Sequence, residues 1–180
     1  MTSTDQKRNA RRLFNVSLDS LNPGKPPKAL LEQYKLYLEY LDRLADRRQS
    51  ANSFFLTLNT GLCTALAFLF AKEAALEIKQ LYIIIPAAGI LLSFFWHRLV
   101  TSYRQLSTGK FEVIHRMERY LPMAPYKAEW DMLGSGIEPA KYQPLTKIEV
   151  WVPRLFIIMY IAILFYIAPW AKIGEMMQKL

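Results

Sequence analysis

Two apolar stretches decide the fold: SFFLTLNTGLCTALAFLFA at residues 53–71 and LYIIIPAAGILLSFFWHRLV at residues 81–100. Neither contains a Lys, Arg, Asp or Glu ahead of Arg98. Each is about as long as a helix must be to cross a hydrocarbon core of roughly 30 Å. Since the connector at residues 72–80 is too short to form a domain, the two stretches are predicted to form an antiparallel transmembrane hairpin.

A third apolar run, residues 150–170, occurs much later in the chain. It predicts a third transmembrane helix within residues 147–170, which is opened by a capping box at Thr146–Glu149 and followed by a tail at residues 171–180. The alternative is a helix that lies buried or re-enters the membrane. The expected fold class is therefore an all-α integral membrane protein with three transmembrane helices.

The charged residues indicate both the class of protein and its orientation. The net charge is +8, and the charges lie almost wholly outside the apolar runs. Lys and Arg number ten in residues 1–52 and eight in residues 98–147, against two in the connector and two in the tail. This bias predicts a cytoplasmic N-terminus, an external C-terminus and contact with anionic lipid headgroups. No nucleic-acid partner is expected, because the aromatic residues follow apolar stripes or lie at lipid interfaces.

Residues 27–121 are predicted to form one folding unit, in which amphipathic cytoplasmic helices extend the hairpin. Apolar residues at alternating spacings of four and three indicate a seam between these helices. The seam residues are Leu30, Tyr34, Tyr37, Leu41, Leu44, Tyr103, Leu106, Val113 and Met117.

The polar segments on either side have different compositions. Residues 1–26 are basic and end in a Pro/Gly cluster, which predicts a mobile arm. Residues 122–146 are rich in proline but also in aromatic residues and methionine, which predicts a packed cytoplasmic loop with a short helix at residues 126–133. The loop residues proposed to dock a partner protein are Tyr126, Trp130, Met132 and Tyr142.

A polar stripe follows one side of the first transmembrane helix. Ser53, Thr57, Thr60 and Thr64 form it at alternating spacings of four and three, and Asn59, which sits beside them, belongs to the same candidate face. Small and hydroxyl-bearing residues let membrane helices approach closely and form hydrogen bonds across the contact. Two interpretations stay open: a face for helix packing and a face that lines a hydrated pathway.

The sequence contains no persuasive catalytic or cofactor motif, so neither an enzyme nor a cofactor is expected. It has no Gly-rich phosphate loop, nucleophile elbow or Cys/His metal spacing. Cys63 is the single cysteine and cannot form an intrachain disulfide. Glu112 and His115 have the spacing of half a di-metal pair, but the chain lacks the second half, which favours a solvated, salt-bridged face.

Three segments resemble a known group of proteins: YLEY at residues 37–40, ADRRQSANSFFL at 45–56, and YRQL at 103–106 followed by Lys110-Phe111. With the hairpin between them, they resemble small bacterial integral membrane proteins of conflict and anti-phage systems, such as the SLATT effectors. The resemblance implies a bacterial inner-membrane effector that perturbs membranes when a cytoplasmic sensor releases it. This chain differs in its Pro-rich loop and third apolar helix.

Two functional hypotheses follow. The first is a self-associating, non-enzymatic membrane protein that forms a homo-oligomeric pore, with bacterial defence as its context. The second is a membrane-anchored adaptor whose cytoplasmic helices and loop recruit another protein. A membrane enzyme is disfavoured, because Asn59, His97 and Arg154 are too few and too scattered to form an intramembrane site.

Overall fold

A computed structural model describes Leu13, Asn15, Asn22, Tyr142 and residues 24–71, 80–136 and 148–168. These residues form four α-helices and a short 3₁₀ turn at Gly134–Gly136, and none of them lies in a β-strand. The helices are α1 (Lys28–Ala71), α2 (Leu81–Glu118), α3 (Pro125–Met132) and α4 (Trp151–Ile167).

Helix α1 has 44 residues and no internal proline, so its rise of 1.5 Å per residue gives a length of about 66 Å. It begins directly after Pro27, whose carbonyl oxygen accepts a hydrogen bond from the Leu30 amide at 3.0 Å. This start and this length agree with a single helix that runs from the polar segment into the first apolar stretch. Helix α2 has 38 residues and contains Pro86.

Helices α1 and α2 are each long and apolar enough to cross a membrane. Only 17% of the most apolar window of α1, and 28% of that of α2, is buried. The core helix of a soluble protein would be mostly buried, so the exposed apolar surface of these helices favours contact with lipid. Helix α4 is also apolar but is shorter, with 17 residues.

The chain divides into two compact units. The first, called the polar unit, contains the described residues up to Arg48 and those of 102–145. The second, called the apolar unit, contains the described residues of 49–101 and of 146–180. Helices α1 and α2 both contribute residues to each unit.

In the polar unit, α1 and α2 pack against each other through a small hydrophobic core. Leu30, Met117 and Leu121 are its buried residues, and Leu13 packs against them. Tyr34 contacts Glu118, whereas Tyr37 and Tyr40 contact Lys110. Later residues of α1 thus meet earlier residues of α2, so the two helix segments are antiparallel.

The face of α2 that packs in this unit differs from the predicted seam. Its buried and half-buried positions include Tyr103, Ser107, Lys110, Val113, Ile114, Met117 and Glu118. Leu106 was expected in the seam but is 50% exposed, and Val113 lies at the edge of the core. Hydrophobicity alone favours Leu106, whereas the helix turns Ser107 and Lys110 towards α1. The predicted α1 positions Leu30, Tyr34, Tyr37, Leu41 and Leu44 are all buried or half-buried.

In the apolar unit, hydrogen bonds join α1 and α2 at three levels. The Tyr82 hydroxyl donates to the Leu69 carbonyl at 2.9 Å. The Ser93 hydroxyl donates to the Asn59 side-chain oxygen at 2.9 Å. The Trp96 indole N–H donates to the Asn52 side-chain oxygen, also at 2.9 Å. The order of these pairs is again antiparallel.

Some predictions fall outside the described residues: nearly all of the arm at 1–26, the connector at 72–79, Thr146 of the capping box, and the tail at 171–180. The third apolar helix was expected within residues 147–170. Helix α4 begins at Trp151, with Val150 at its N-cap and no side-chain cap, and Ile148 and Glu149 are helical just before it. Pro153 lies within its first turn, where the proline nitrogen has no helical acceptor to lose.

Candidate functional site

Asn59 is the centre of a buried polar cluster in the apolar unit. Its side-chain oxygen accepts a hydrogen bond from the Ser93 hydroxyl at 2.9 Å, and its side-chain nitrogen donates to the Phe55 carbonyl at 2.9 Å. The Tyr160 hydroxyl of α4 donates to the Asn59 carbonyl at 3.2 Å. Asn59, Ser93 and Tyr160 are each 0% exposed. Polar groups within a membrane protein typically face the bundle interior, and this cluster joins α1, α2 and α4 at one point.

Gly89 permits Tyr160 to reach this cluster. A Cβ atom at position 89 would lie 2.4 Å from the Tyr160 ring, closer than atoms can approach without displacement. The Cys63 sulfur lies 3.5 Å from the Tyr160 hydroxyl oxygen. Gly89 therefore has a packing role that no local sequence pattern indicates.

Trp96 completes the core of the apolar unit. Its indole is 3% exposed, donates to Asn52 and stacks on Phe55 at 6.0 Å between ring centroids. The indole N–H therefore finds its partner inside the apolar unit and not at a lipid interface. Trp151, at the start of α4, is instead 58% exposed, with the Arg154 guanidinium 5.2 Å from its ring.

The predicted polar stripe separates into two groups. Asn59 faces the protein interior, whereas Ser53, Thr57, Thr60 and Thr64 are exposed on roughly the opposite side of α1. Each threonine hydroxyl donates to a backbone carbonyl four residues earlier in its own helix, at 2.8–2.9 Å. We call Ser53, Thr57, Thr60 and Thr64 the threonine face. Gly61 lies beside it, with no atom within 4 Å of an added Cβ.

Glu118 organises the polar unit. Its carboxylate is 2% exposed and accepts hydrogen bonds from the Tyr34 hydroxyl at 3.0 Å and from the Tyr126 and Lys127 amides at 2.9 Å each. These amides belong to the first turn of α3, where N–H groups have no helical acceptor and the helix dipole favours a negative charge. Glu118 therefore caps α3 from seven residues before Pro125.

The environment of Glu118 also affects the neighbouring tyrosines. Burial, followed by the hydrogen bond to Glu118, raises the pKa of Tyr34 well above its ordinary value. Burial also raises the pKa of Tyr126, to which the nearby Asp42, Glu129 and Glu118 charges add. Both phenols are therefore neutral at physiological pH. The sequence analysis missed Glu118 because its partners are distant in the chain; only the prolines that precede α3 indicate a helix start needing a cap.

Lys110 is a buried cation in the same unit. Lys110 is 9% exposed. Its ammonium group lies 4.7 Å from the centre of the Tyr37 ring and 4.3 Å from the centre of the Tyr40 ring. Aromatic faces attract cations at such distances. Two of the tyrosines on α1 thus stabilise a charge that the heptad pattern placed in an apolar seam.

The aromatic residues of the loop after α2 are partly brought together. Tyr126, Trp130 and Tyr142 line one cavity, whereas Met132 is 78% exposed and lies apart from it. Glu112, half of the considered di-metal pair, forms a salt bridge with Arg116 at 3.2 Å. Among the described residues, no group of three His, Cys, Asp or Glu side chains is placed to hold a metal ion.

The described residues define an all-helical protein with two helices long and apolar enough to cross a membrane, whose apolar faces are exposed. This is the architecture of an integral membrane protein. More specifically, the chain belongs to the octameric membrane protein family (8xMP), whose family model matches residues 31–169. The family supports a small, self-associating membrane protein; it does not specifically support a SLATT-like identity. No curated protein and no solved structure matches the chain.

Proposed function

We propose that this protein assembles as a homo-octameric ring in the bacterial inner membrane and forms a hydrated pathway along the threonine face of α1. Support for self-association comes from membership of the octameric family. Support for the location of the pathway comes from one observation: the threonine face is exposed along α1, whereas the polar cluster of Asn59, Ser93 and Tyr160 is buried. A ring of such faces would present hydroxyl groups to a central space.

The threonine hydroxyls suit such a surface chemically. They already bond their own helix backbone, and each oxygen keeps a lone pair that can accept a hydrogen bond from water. No charged side chain lies on this face, so the surface would offer a weakly selective pathway rather than a binding site.

Conductance in planar lipid bilayers tests the proposal. The double variant Thr57→Leu/Thr60→Leu should reduce single-channel conductance at least tenfold, because it replaces two hydroxyls with bulky apolar groups. The control Ala162→Leu adds similar bulk at an exposed position of α4 and should conduct like the wild type. Unchanged conductance in the double variant, or no conductance in the wild-type oligomer, contradicts the proposal.

The proposed topology has three transmembrane helices, a cytoplasmic N-terminus and an external C-terminus. Support comes from the distribution of Lys and Arg and from the length of α4, which at 17 residues is near the lower limit for a spanning helix. Alkaline phosphatase fused after residue 180 should be active, and the same enzyme fused at residue 121 should be inactive. The reverse pattern would overturn this orientation.

An effector role in bacterial defence is proposed on the sequence resemblance to SLATT-like proteins alone. Expression with a genetically linked sensor should lower phage plating efficiency, and the Thr57→Leu/Thr60→Leu variant should restore it. Equal protection by wild type and variant would separate defence from conductance.

The alternative function is that of an adaptor, which is favoured by the cavity that Tyr126, Trp130 and Tyr142 share. In that case Trp130→Ala should abolish partner recruitment, whereas the Thr57→Leu/Thr60→Leu variant should still recruit the partner.

A further inference from the structure

A cavity of about 370 Å³ lies in the polar unit between the last turns of α2, helix α3 and Tyr142. Its volume falls within the range of small-molecule sites. Phe111, Tyr126, Trp130 and Tyr142 supply four aromatic side chains to its lining. The Phe111 and Tyr126 rings lie 6.1 Å apart and are inclined at 51°, so they form adjoining walls rather than a stack.

The cavity wall is held by contacts of its own. Glu118 fixes the first turn of α3 through the Tyr126 and Lys127 amides. At the other end of α3, the backbone at Gly136 adopts a φ of +71° and passes under the Trp130 ring, where a Cβ atom would lie 3.0 Å from the indole. Both aromatic residues of α3 are therefore positioned before any ligand arrives, which lowers the cost of ordering a binding site.

The charged groups of the cavity are acidic. Glu112 and Glu129 line it, and among the described residues no Lys or Arg does. The Glu112 carboxylate forms a salt bridge with the Arg116 guanidinium, with 3.2 Å between nitrogen and oxygen. No described Lys or Arg forms a salt bridge with Glu129. A cavity with aromatic walls and two carboxylates is complementary to an organic cation, since ring faces and carboxylates both attract positive charge.

We propose that this cavity binds a substituted ammonium group, with its alkyl groups against the aromatic rings and its charge balanced by Glu112 and Glu129. A substituted ammonium suits the walls better than a metal ion, because the described residues offer no three-ligand cluster and most of the lining is apolar. This inference does not depend on the proposed pathway, because all of its residues belong to the polar unit.

The experiment uses the full-length oligomer in lipid nanodiscs and follows intrinsic tryptophan fluorescence, since Trp130 lines the cavity. Choline chloride is titrated in parallel with 3,3-dimethyl-1-butanol, which has the same shape but no charge. Choline should bind saturably and at least tenfold more tightly than the neutral alcohol. Equal affinity for the two compounds would overturn the proposal.

Variants locate the site. Glu129→Gln should weaken choline binding at least fivefold, and Glu129→Asp should restore part of the affinity. Trp130→Ala should abolish binding, while Trp130→Phe, which keeps an aromatic face, should retain most of it even if the alanine variant fails to fold. Binding to these two variants is measured by isothermal titration calorimetry, because they lack the indole that reports binding. The control is Asp131→Asn, because Asp131 is exposed and pairs with Lys127 away from the cavity. An equal loss in Asp131→Asn and Glu129→Gln would refute a site-specific role for Glu129.

The substituted ammonium group has two possible sources, a free metabolite or a modified lysine of a protein. A short alanine-rich peptide that contains one trimethyllysine distinguishes them. Tighter binding of this peptide than of choline assigns the site to a protein side chain, whereas tighter or equal binding of choline assigns it to a free small molecule. Failure of both probes to bind contradicts the proposal as a whole.

Discussion

At the residue scale, the buried Glu118 carboxylate is the polar group on which most of the polar unit depends. It accepts three hydrogen bonds, of which two come from the otherwise unpaired amides at the start of α3. A carboxylate has enough acceptor sites for all three donors, whereas neither glutamine nor alanine does.

Glu118→Gln should therefore destabilise the protein by about 1–3 kcal/mol, since the amide group cannot accept from both backbone donors and loses the charge. Glu118→Ala should cost more. The measurement is denaturant unfolding of the detergent-solubilised protein, with Glu112→Gln as the control because Glu112 is exposed. If Glu118→Gln and Glu112→Gln lower the free energy of unfolding equally, Glu118 does not stabilise α3 in this way.

The raised pKa of Tyr34 predicts that the folded protein loses stability at alkaline pH. Its pKa is raised in the folded protein, first by burial and then by Glu118, so the folded state retains the proton at a pH where the unfolded chain loses it. The contribution of Tyr34 to the free energy of unfolding is thus fully present below about pH 10, and it falls as the pH rises above that value. Tyr34→Phe should show a shallower loss of stability between about pH 10 and 11, measured by unfolding at several pH values. Identical slopes would contradict this account.

At the element scale, the contact of α4 with α2 depends on the absence of a side chain at Gly89. Gly89→Ala should displace Tyr160 and cost about 1–3 kcal/mol, as overpacking commonly does. Gly109→Ala is the matched control, because an added Cβ there meets no atom within 4 Å. The measurement is the rate at which maleimide labels Cys63, which lies against the Tyr160 hydroxyl. Labelling should accelerate only in Gly89→Ala.

The sequence was sufficient to predict the existence of the long helices and the packing face of α1, but not the whole packing face of α2. A long apolar run can be found from the sequence alone, so residues 53–71 and 81–100 were identified directly. The inward face depends on the partner helix, and here it includes Ser107 and Lys110 in preference to Leu106. Hydrophobicity cannot reveal such a choice, because two tyrosine rings on another helix make the burial of Lys110 favourable.

The same limit applied to the polar residues of the membrane segment. Asn59 was counted in the same candidate face as the threonines, since it sits beside their stripe in the sequence. Their separation follows from Ser93 and Tyr160, which lie 34 and 101 residues away in sequence and bond Asn59. Threonine can satisfy its hydroxyl within its own helix and needs no such partner.

At the scale of the whole molecule, the family predicts the number of copies. Native mass spectrometry of the protein released from nanodiscs should give eight times the subunit mass of 20.9 kDa. The isosteric variant Thr57→Val/Thr60→Val separates the two interpretations of the threonine face. If the face lines water, the variant should keep the octamer and lose conductance. A monomer or dimer in the wild type would contradict the assembly.

The internal bonding of the threonine hydroxyls has a consequence for biogenesis. Thr57, Thr60 and Thr64 leave no hydroxyl proton unsatisfied when their face meets acyl chains. These hydroxyls therefore do not oppose the insertion of a single subunit before it meets other copies. If the proposed ring then forms reversibly, the assembled fraction should rise with the expression level.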